Sequence, residues 1–188
     1  QIIASLSPNV RTKSAQIREV LDKEISQSAA FRLQICLKVI KSLDDEIEAL
    51  EKEIFNYAYI NDEREMEILM SVPGIGELGA ATLIAEIGNF TDFSSGDKLA
   101  SWPGIVPNVY QSADKYYNGR ITKRGSKTAR WILIQIAQAA ARTKNSKLKE
   151  FFNRKKKSIG HSKAIVALAR KIATIIWHLI TNDEMYED

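Results

Sequence analysis

Residues 71–90 read SVPGIGELGAATLIAEIGNF, and this stretch sets the organisation of the chain. Pro73, Gly74 and Gly76 stand between two helical patterns, and glycine tolerates the positive φ that a tight turn needs. The pattern after the turn has apolar residues at helical spacing: Ala80, Leu83, Ile84 and Ile87. The stretch therefore predicts two helices joined by a glycine turn.

The same residues satisfy the G-x-G-x-x-G pattern of dinucleotide sites at Gly74, Gly76 and Gly79. That pattern requires a buried strand before it, inside a parallel βαβ unit. The lead-in EREMEILMSVP is charged and helical instead. We therefore interpret the turn as a helix-hairpin-helix element in which Gly74, Ile75 and Gly76 present backbone N–H groups to a phosphate. The alternative is a packing hairpin that never meets DNA.

Upstream of the turn, residues 13–70 contain neither glycine nor proline. Apolar residues recur there in steps of three and four, which is typical of a coiled-coil seam: Ile40, Leu43, Ile47, Leu50, Ile54 and Tyr57. We expect helices over about 13–27 and 29–58. Residues 1–67 are thus predicted to form a helical arm, which serves either oligomerisation or an intramolecular hairpin.

Downstream of the turn, we predict a compact helical domain over residues 68–182 and an acidic tail over 183–188. KLASWPGIVP, residues 98–107, predicts a short helix that ends at Pro103–Gly104. Residues 108–127 fit a loop or a short hairpin, with a turn signal at Asn118–Gly119.

Two longer helices complete the domain, and the fold class is mainly α. Residues 126–143 are apolar nearly all round, which predicts a buried central helix. Residues 161–180 predict an amphipathic helix. The intervening tract NRKKKSIG, residues 153–160, is interpreted as a basic linker.

Charge is distributed unevenly along the chain. Residues 1–70 carry 9 Lys/Arg against 13 Asp/Glu, a net of −4, whereas residues 101–188 carry 17 against 6, a net of +11. Such a surplus predicts a polyanionic partner for the C-terminal half.

The densest basic segment is NGRITKRGSK, residues 118–127, at the mouth of the buried helix. Arginine forms bidentate phosphate contacts and lysine supplies a point charge. The predicted phosphate contacts are Arg120, Thr122, Lys123, Arg124, Lys127 and Arg130, with Lys163 and Arg170 extending the surface from the last helix. We expect this basic turn to share one face with the glycine turn, and about five neutralised phosphates to give a log–log salt slope of roughly −4 to −5. A solvated basic loop is the alternative.

Other chemistries are poorly supported by the sequence. The single cysteine, Cys36, excludes an internal disulfide and fits a reducing, cytoplasmic compartment. His161 and His178 are the only histidines, and the carboxylates form no cluster, so we expect no metal site in this chain. No apolar run approaches the ~18 residues that span a membrane, and we expect no membrane partner. A chain that begins at Gln1 also suggests part of a longer protein.

Residues 68–180 resemble the C-terminal domain of the IS110/IS116/IS902 family of transposases. The matching stretches, in order, are SVPGIG (71–76), AEIG (85–88), KLASWPGIVP (98–107), GRITKRG (119–125) and residues 164–171. The preceding heptads are similar to the coiled coil that links the two catalytic domains in that family.

The resemblance implies DNA transposition, in which this domain supplies a serine that cleaves and exchanges strands through a covalent serine–DNA phosphodiester. It also implies a Mg²⁺-binding RuvC-like domain upstream and, in some members, a bridge RNA encoded by the element. The family's serine stands five residues past the proline of GIVP, which places it at Ser112. Ala113 stands where the family usually has glycine, and residues 114–117 also depart from the common form.

A serine hydroxyl needs a base or nearby positive charge to attack a phosphate. We expect Arg120, Lys123 and Arg124 to supply that charge, and we expect this part alone to bind DNA or RNA without recombining it. The alternatives are a non-catalytic helix-hairpin-helix binding module on a dimerisation arm, and a protein–protein scaffold whose basic face binds an acidic partner.

Overall fold

The computed structural model describes residues 26–112 and 115–188, and for 108–112, 115–118 and 120 it describes the backbone alone. The predicted mainly helical class is confirmed. The elements are α1 Gln27–Ser71, α2 Glu77–Ile87, a 3-10 turn Phe90–Asp92, α3 Gly96–Ser101, β1 Pro107–Ser112, β2 Lys115–Ile121, α4 Lys127–Ala140, α5 Lys147–Ile159 and α6 His161–Asn182.

The chain divides into a first unit that ends at Leu50 and a compact second unit, Glu51–Asp188. In the described part of the first unit, α1 exposes its apolar side chains. These are Phe31, Leu33, Ile35, Leu37, Val39, Ile40, Leu43, Ile47 and Leu50, each between 46% and 65% exposed. No other part of residues 26–112 and 115–188 covers these apolar side chains.

Helix α1 is interrupted at Asp62, whose φ of −137° and ψ of 37° leave helical geometry. The interruption lies close to the predicted end near residue 58, and a second helical segment continues to Ser71. The predicted first helix, 13–27, falls almost wholly outside the described residues. Beyond Asp62 the helix enters the core, because Met66, Ile68 and Leu69 are buried there.

The glycine turn folds α2 back along α4. Gly74 has φ +97°, and a Cβ built on it would lie 2.5 Å from the Ala140 backbone nitrogen. Gly79 faces the Ile136 side chain, and Glu86 near the end of α2 meets Ser126 just before α4. The two helices therefore run antiparallel, with the start of α2 beside the end of α4.

Helix α6 forms the centre of the second unit. By length and composition alone it could cross a membrane, although no single apolar run in it is that long. One apolar face of it is buried inside the domain: Ala164, Ile165, Leu168, Ala169, Ile172, Ala173, Ile176 and Leu179. This face packs against α3, α4 and α5.

The chain between 107 and 121 forms an antiparallel two-stranded hairpin. Pro107 pairs with Ile121 and Val109 with Asn118, so β2 carries one extra residue between these pairs. The turn predicted at Asn118–Gly119 is therefore wrong. Both residues lie within β2, next to the β-bulge that this change of register creates.

The tract Arg154–Lys157 is helical, which corrects the predicted basic linker. It forms the last turns of α5, which ends where Gly160 takes φ +79°. Leu148 and Phe152 anchor that helix in the core. Lysines near a helix C-terminus also interact favourably with its dipole, so the charges do not oppose helix formation.

The residues after α6 fold back onto the domain. The Tyr186 N–H donates to Ser71 Oγ, and Asp188 Oδ1 accepts from the Lys147 N–H at 2.9 Å, at the first turn of α5. That N–H lowers the pKa of Asp188, while burial and the hydrogen bond to Asp188 raise the pKa of Tyr186 to about 12. The tail thus joins the end of α1 to the start of α5.

We expect Gly74→Ala to lower the free energy of unfolding by more than about 2 kcal/mol, because a positive φ and a backbone clash act together. Gly76 is the matched control, since its φ is −103° and nothing lies within 4 Å of its built Cβ. Gly76→Ala should cost less than about 1 kcal/mol. Urea unfolding measures both, and equal losses would contradict the packing of Gly74 on α4.

Candidate nucleic-acid interface

The start of α4 is fixed by a capping serine. Ser126 Oγ accepts from the Ala129 N–H at 3.0 Å and donates to Glu86 Oε2 at 2.6 Å. The first bond satisfies an N–H that the helix itself leaves free. The second ties the end of α2 to the start of α4, so the residues just before α4 have a defined position.

The basic turn, residues 122–127, lies tightly on the segment after α3. The Lys123 N–H donates to the Gly104 carbonyl, and the Thr122 N–H donates to the Val106 carbonyl. Gly104 and Gly125 both have positive φ and touch backbone across this contact, which leaves no room for side chains. The backbone of the turn is thereby held, while the side chains of Lys123, Arg124 and Lys127 are exposed.

Three cations of this turn are exposed: Lys123, Arg124 and Lys127. Within residues 26–112 and 115–188 none of them has an ion-pair partner, and the same is true of exposed Lys163. Thr122 is half-buried. The side chain of Arg120 lies outside the described part.

Two of the predicted phosphate contacts are already engaged in the fold. The Arg130 guanidinium donates to the Pro103 carbonyl at 2.7 Å, which holds the segment against which the basic turn packs. Arg170 forms an ion pair with Asp97 at 3.0 Å and so links α6 to α3. Both have a structural role that their sequence context did not indicate.

The glycine turn and the basic turn do not share one site. Gly74 sits at the last turn of α4 and the basic turn precedes its first, so about 20 Å of helix separates them. Ile75 is buried, and its N–H donates within the turn to the Val72 carbonyl. Of the three predicted hairpin contacts, only Gly76 is exposed. The expected common face is therefore wrong.

Further cations lie toward the same end as the basic turn. The end of α4 meets Gly74, and the tail after α6 meets Ser71, so the C-termini of α4 and α6 are neighbours. Helix α6 begins directly after α5 ends at Gly160, and from its packing against α4 we infer that the N-termini of α4 and α6 lie toward the same end. We call this the basic end: Lys123, Arg124, Lys127, Arg154, Lys155, Lys156, Lys157 and Lys163.

An aromatic residue organises part of the basic end. The Phe151 ring lies 4.7 Å from Lys171 Nζ and 5.7 Å from both Arg154 Cζ and Lys155 Nζ. Such cation–π contacts restrain charged side chains without neutralising them. Sequence reasoning missed this arrangement, although a Phe-Phe pair ahead of a basic tract was the available signal.

Ser112 is the last residue of β1 and pairs with Lys115. Five residues of strand separate it from Pro107 at the base of the hairpin, or about 17 Å. Lys123 and Arg124 lie beyond that base, so they stand well away from the Ser112 backbone. The predicted role of these two cations in activating Ser112 is not supported by this geometry.

No group of three or more histidine, cysteine or carboxylate side chains converges among the described residues. His178 Nε2 lies 3.4 Å from Glu184, and its Nδ1 lies 3.0 Å from the Asn182 amide. These contacts tie α6 to the start of the tail.

The fold and the charge distribution together define a small helical domain with one strongly basic end. Residues 66–153 match the family described as Transposase IS116/IS110/IS902. Residues 66–153 of the chain therefore form a domain of that family of transposases.

Relatives of the chain include a probable family 20 transposase of Pseudomonas aeruginosa, 29% identical over 79% of this chain and 46% of that protein. The transposase for insertion sequence element IS1111A of Coxiella burnetii is 33% identical, over 76% and 40%. The transposase for IS1328 of Yersinia enterocolitica is 28% identical, over 77% and 43%. The chain therefore spans less than half the length of these relatives.

Ser126→Ala should lower the free energy of unfolding by about 1–2 kcal/mol, because it removes the cap and leaves the half-buried Glu86 without its partner. Ser162→Ala is the control, since Ser162 is exposed in the first turn of α6 and makes no hydrogen bond to the described residues. Its effect should stay within about 0.5 kcal/mol. Similar urea midpoints for Ser126→Ala and the parent chain would refute the capping role.

Proposed function

We propose that this chain is the DNA-binding C-terminal part of a transposase, and that the full-length protein cleaves and exchanges strands through Ser112. The observation that carries the proposal is the basic end, where exposed cations lie at the base of the hairpin that bears Ser112. Membership of the transposase family supplies the class of reaction.

The basic end is suited to a sugar–phosphate backbone. Lys123, Arg124 and Lys127 carry charges that no described carboxylate neutralises, and the turn that bears them is held by backbone contacts. The N-terminus of α4 adds the partial positive charge of its dipole at the same place. Contacts of this kind give affinity without reading sequence.

Because the basic turn and Ser112 are far apart, we propose that they contact different phosphates of the strand. The turn would hold phosphates along the strand, while the hairpin carries the serine to a phosphate farther on. In the proposed step, Ser112 Oγ attacks a DNA phosphorus, the hydroxyl proton passes to a base, and a 3′- or 5′-oxygen leaves. The resulting serine–DNA ester conserves the bond energy for rejoining.

We propose that Ser112 is activated jointly by the hairpin and by another domain of the full-length protein. In the hairpin, Ser112 pairs with Lys115, which is a cation. We propose that the Mg²⁺ of a RuvC-like domain supplies the remaining stabilisation of the transition state, and that a bridge RNA directs the target in members that use one.

The exposed row on α1 is proposed as an oligomerisation surface. Leu43, Ile47 and Leu50 follow heptad spacing and are each more than half exposed. A coiled coil with a second copy would cover them. The proposed compartment is the cytoplasm, where transposition substrates reside.

A second candidate is a non-catalytic binding module on the same dimerisation arm. The exposed Gly76 at the start of α2, which lacks a side-chain cap, favours it. This module would bind nucleic acid in the same salt-dependent way but would form no covalent intermediate.

Lys127→Ala should reduce the log–log salt slope for duplex DNA by roughly 0.9, because one phosphate contact is lost. Lys144→Ala is the matched control: Lys144 is also exposed but follows the opposite end of α4. Fluorescence anisotropy at several salt concentrations measures both slopes. The same decrease for both variants would mean that net charge, not the basic end, determines binding.

In the full-length protein with its matched target, we expect a protein–DNA adduct that survives denaturing electrophoresis. Ser112→Ala should abolish the adduct because no other group forms the ester, whereas Ser158→Ala, an exposed serine at the end of α5, should retain it. An adduct of normal yield in Ser112→Ala would exclude Ser112 as the nucleophile. DNA binding by both variants without any adduct would favour the non-catalytic module.

A further inference from the structure

Trp131 is exposed on α4, one turn after Lys127. More than half of its side chain, 56%, is accessible, although tryptophan is the largest apolar residue. The other two tryptophans are half-buried: Trp177 donates to the Phe93 carbonyl at 2.9 Å, and Trp102 packs edge-on to the Phe93 ring. Within the described part of the chain, the Trp131 indole N–H has no hydrogen-bond partner.

The residues that neighbour Trp131 along the chain are cationic or neutral. Residues four apart share a helix face, so Trp131 lies beside Lys127, with exposed Thr128 on one side and Gln135 on the other. Residues 115–149 contain ten Lys/Arg and no Asp/Glu. An acidic or polyanionic partner is therefore favoured at this face. The group of that partner that covers the Trp131 indole should be flat and apolar.

A nucleobase meets both requirements, since its π-face is apolar and its own strand supplies the phosphates. In a duplex that face is covered by the neighbouring pairs, and only base edges are accessible. Sites for single strands combine a basic track with aromatic side chains on which bases stack.

We propose that Trp131 is a stacking platform for an unpaired base of a DNA strand whose phosphates are bound by Lys127 and the basic turn. This inference rests on the proposed function, and it names the substrate as single-stranded DNA at this place. Strand exchange passes through unpaired segments, so such a substrate arises in the proposed reaction. The platform reads no sequence, because every base offers a π-face.

The test uses the full 188-residue chain with a labelled oligothymidylate of about 16 nucleotides and a hairpin duplex of equal phosphate number. Trp131→Ala should weaken binding of the single strand about tenfold and leave the salt slope unchanged, since no charge is lost. Trp131→Phe should retain most of the affinity. Duplex binding should change less than twofold in either variant.

Tryptophan emission gives an independent measurement, because Trp131 is the exposed one of the three tryptophans. Binding of the single strand should quench the emission of the parent chain and have little effect in Trp131→Phe. Unfolding midpoints should match across the variants, since the side chain is on the surface.

Several outcomes overturn the proposal. Unchanged single-strand affinity in Trp131→Ala excludes a stacking platform, and an equal loss for duplex excludes the unpaired base. A change in sedimentation of Trp131→Ala without DNA would assign the indole to contact with a second copy. Absence of salt-dependent binding to either DNA would overturn the proposed function as well, whereas binding that ignores Trp131 overturns this inference alone.

Discussion

Helix α4 is held at both ends by backbone contacts that only glycine allows. At its last turn, Gly74 lies against the Ala140 backbone, and ahead of its first turn Gly104 and Gly125 join the basic turn to the segment after α3. Each of these glycines has positive φ, so side chains are excluded by both conformation and space. These contacts help to position α2, the segment after α3 and the base of the hairpin.

Much of the fold follows from local sequence patterns. The buried helix predicted over 126–143 is α4, and the amphipathic helix over 161–180 is α6, because their apolar residues keep helical spacing. The errors have a common cause. Asn118–Gly119 and the tract 153–160 contain residues that suit several backbone states, and only the hairpin register and the burial of Phe152 decide between them.

The candidate site was predictable in composition but not in geometry. The sequence shows that residues 118–127 are basic. It does not show that Arg130 donates to the Pro103 carbonyl or that Arg170 is paired with Asp97. Those contacts join residues that are 27 and 73 positions apart. The sequence could not predict the separation of the glycine turn from the basic turn either, since it depends on the antiparallel packing of α2 on α4. Ser112 was found through family resemblance alone.

The orientation of the helices also has a kinetic consequence. The N-termini of α4 and α6 lie toward the end that already holds unpaired lysines and arginines, so two helix dipoles add to the field of the side chains there. The carboxylates of Asp183, Glu184, Glu187 and Asp188 follow the C-terminus of α6, at the far end. A polyanion approaching from solution therefore exerts a torque on the domain and turns the basic end toward itself before contact. Collisions become productive more often than chance orientation allows, and dissolved ions that shorten the reach of this field slow the encounter itself.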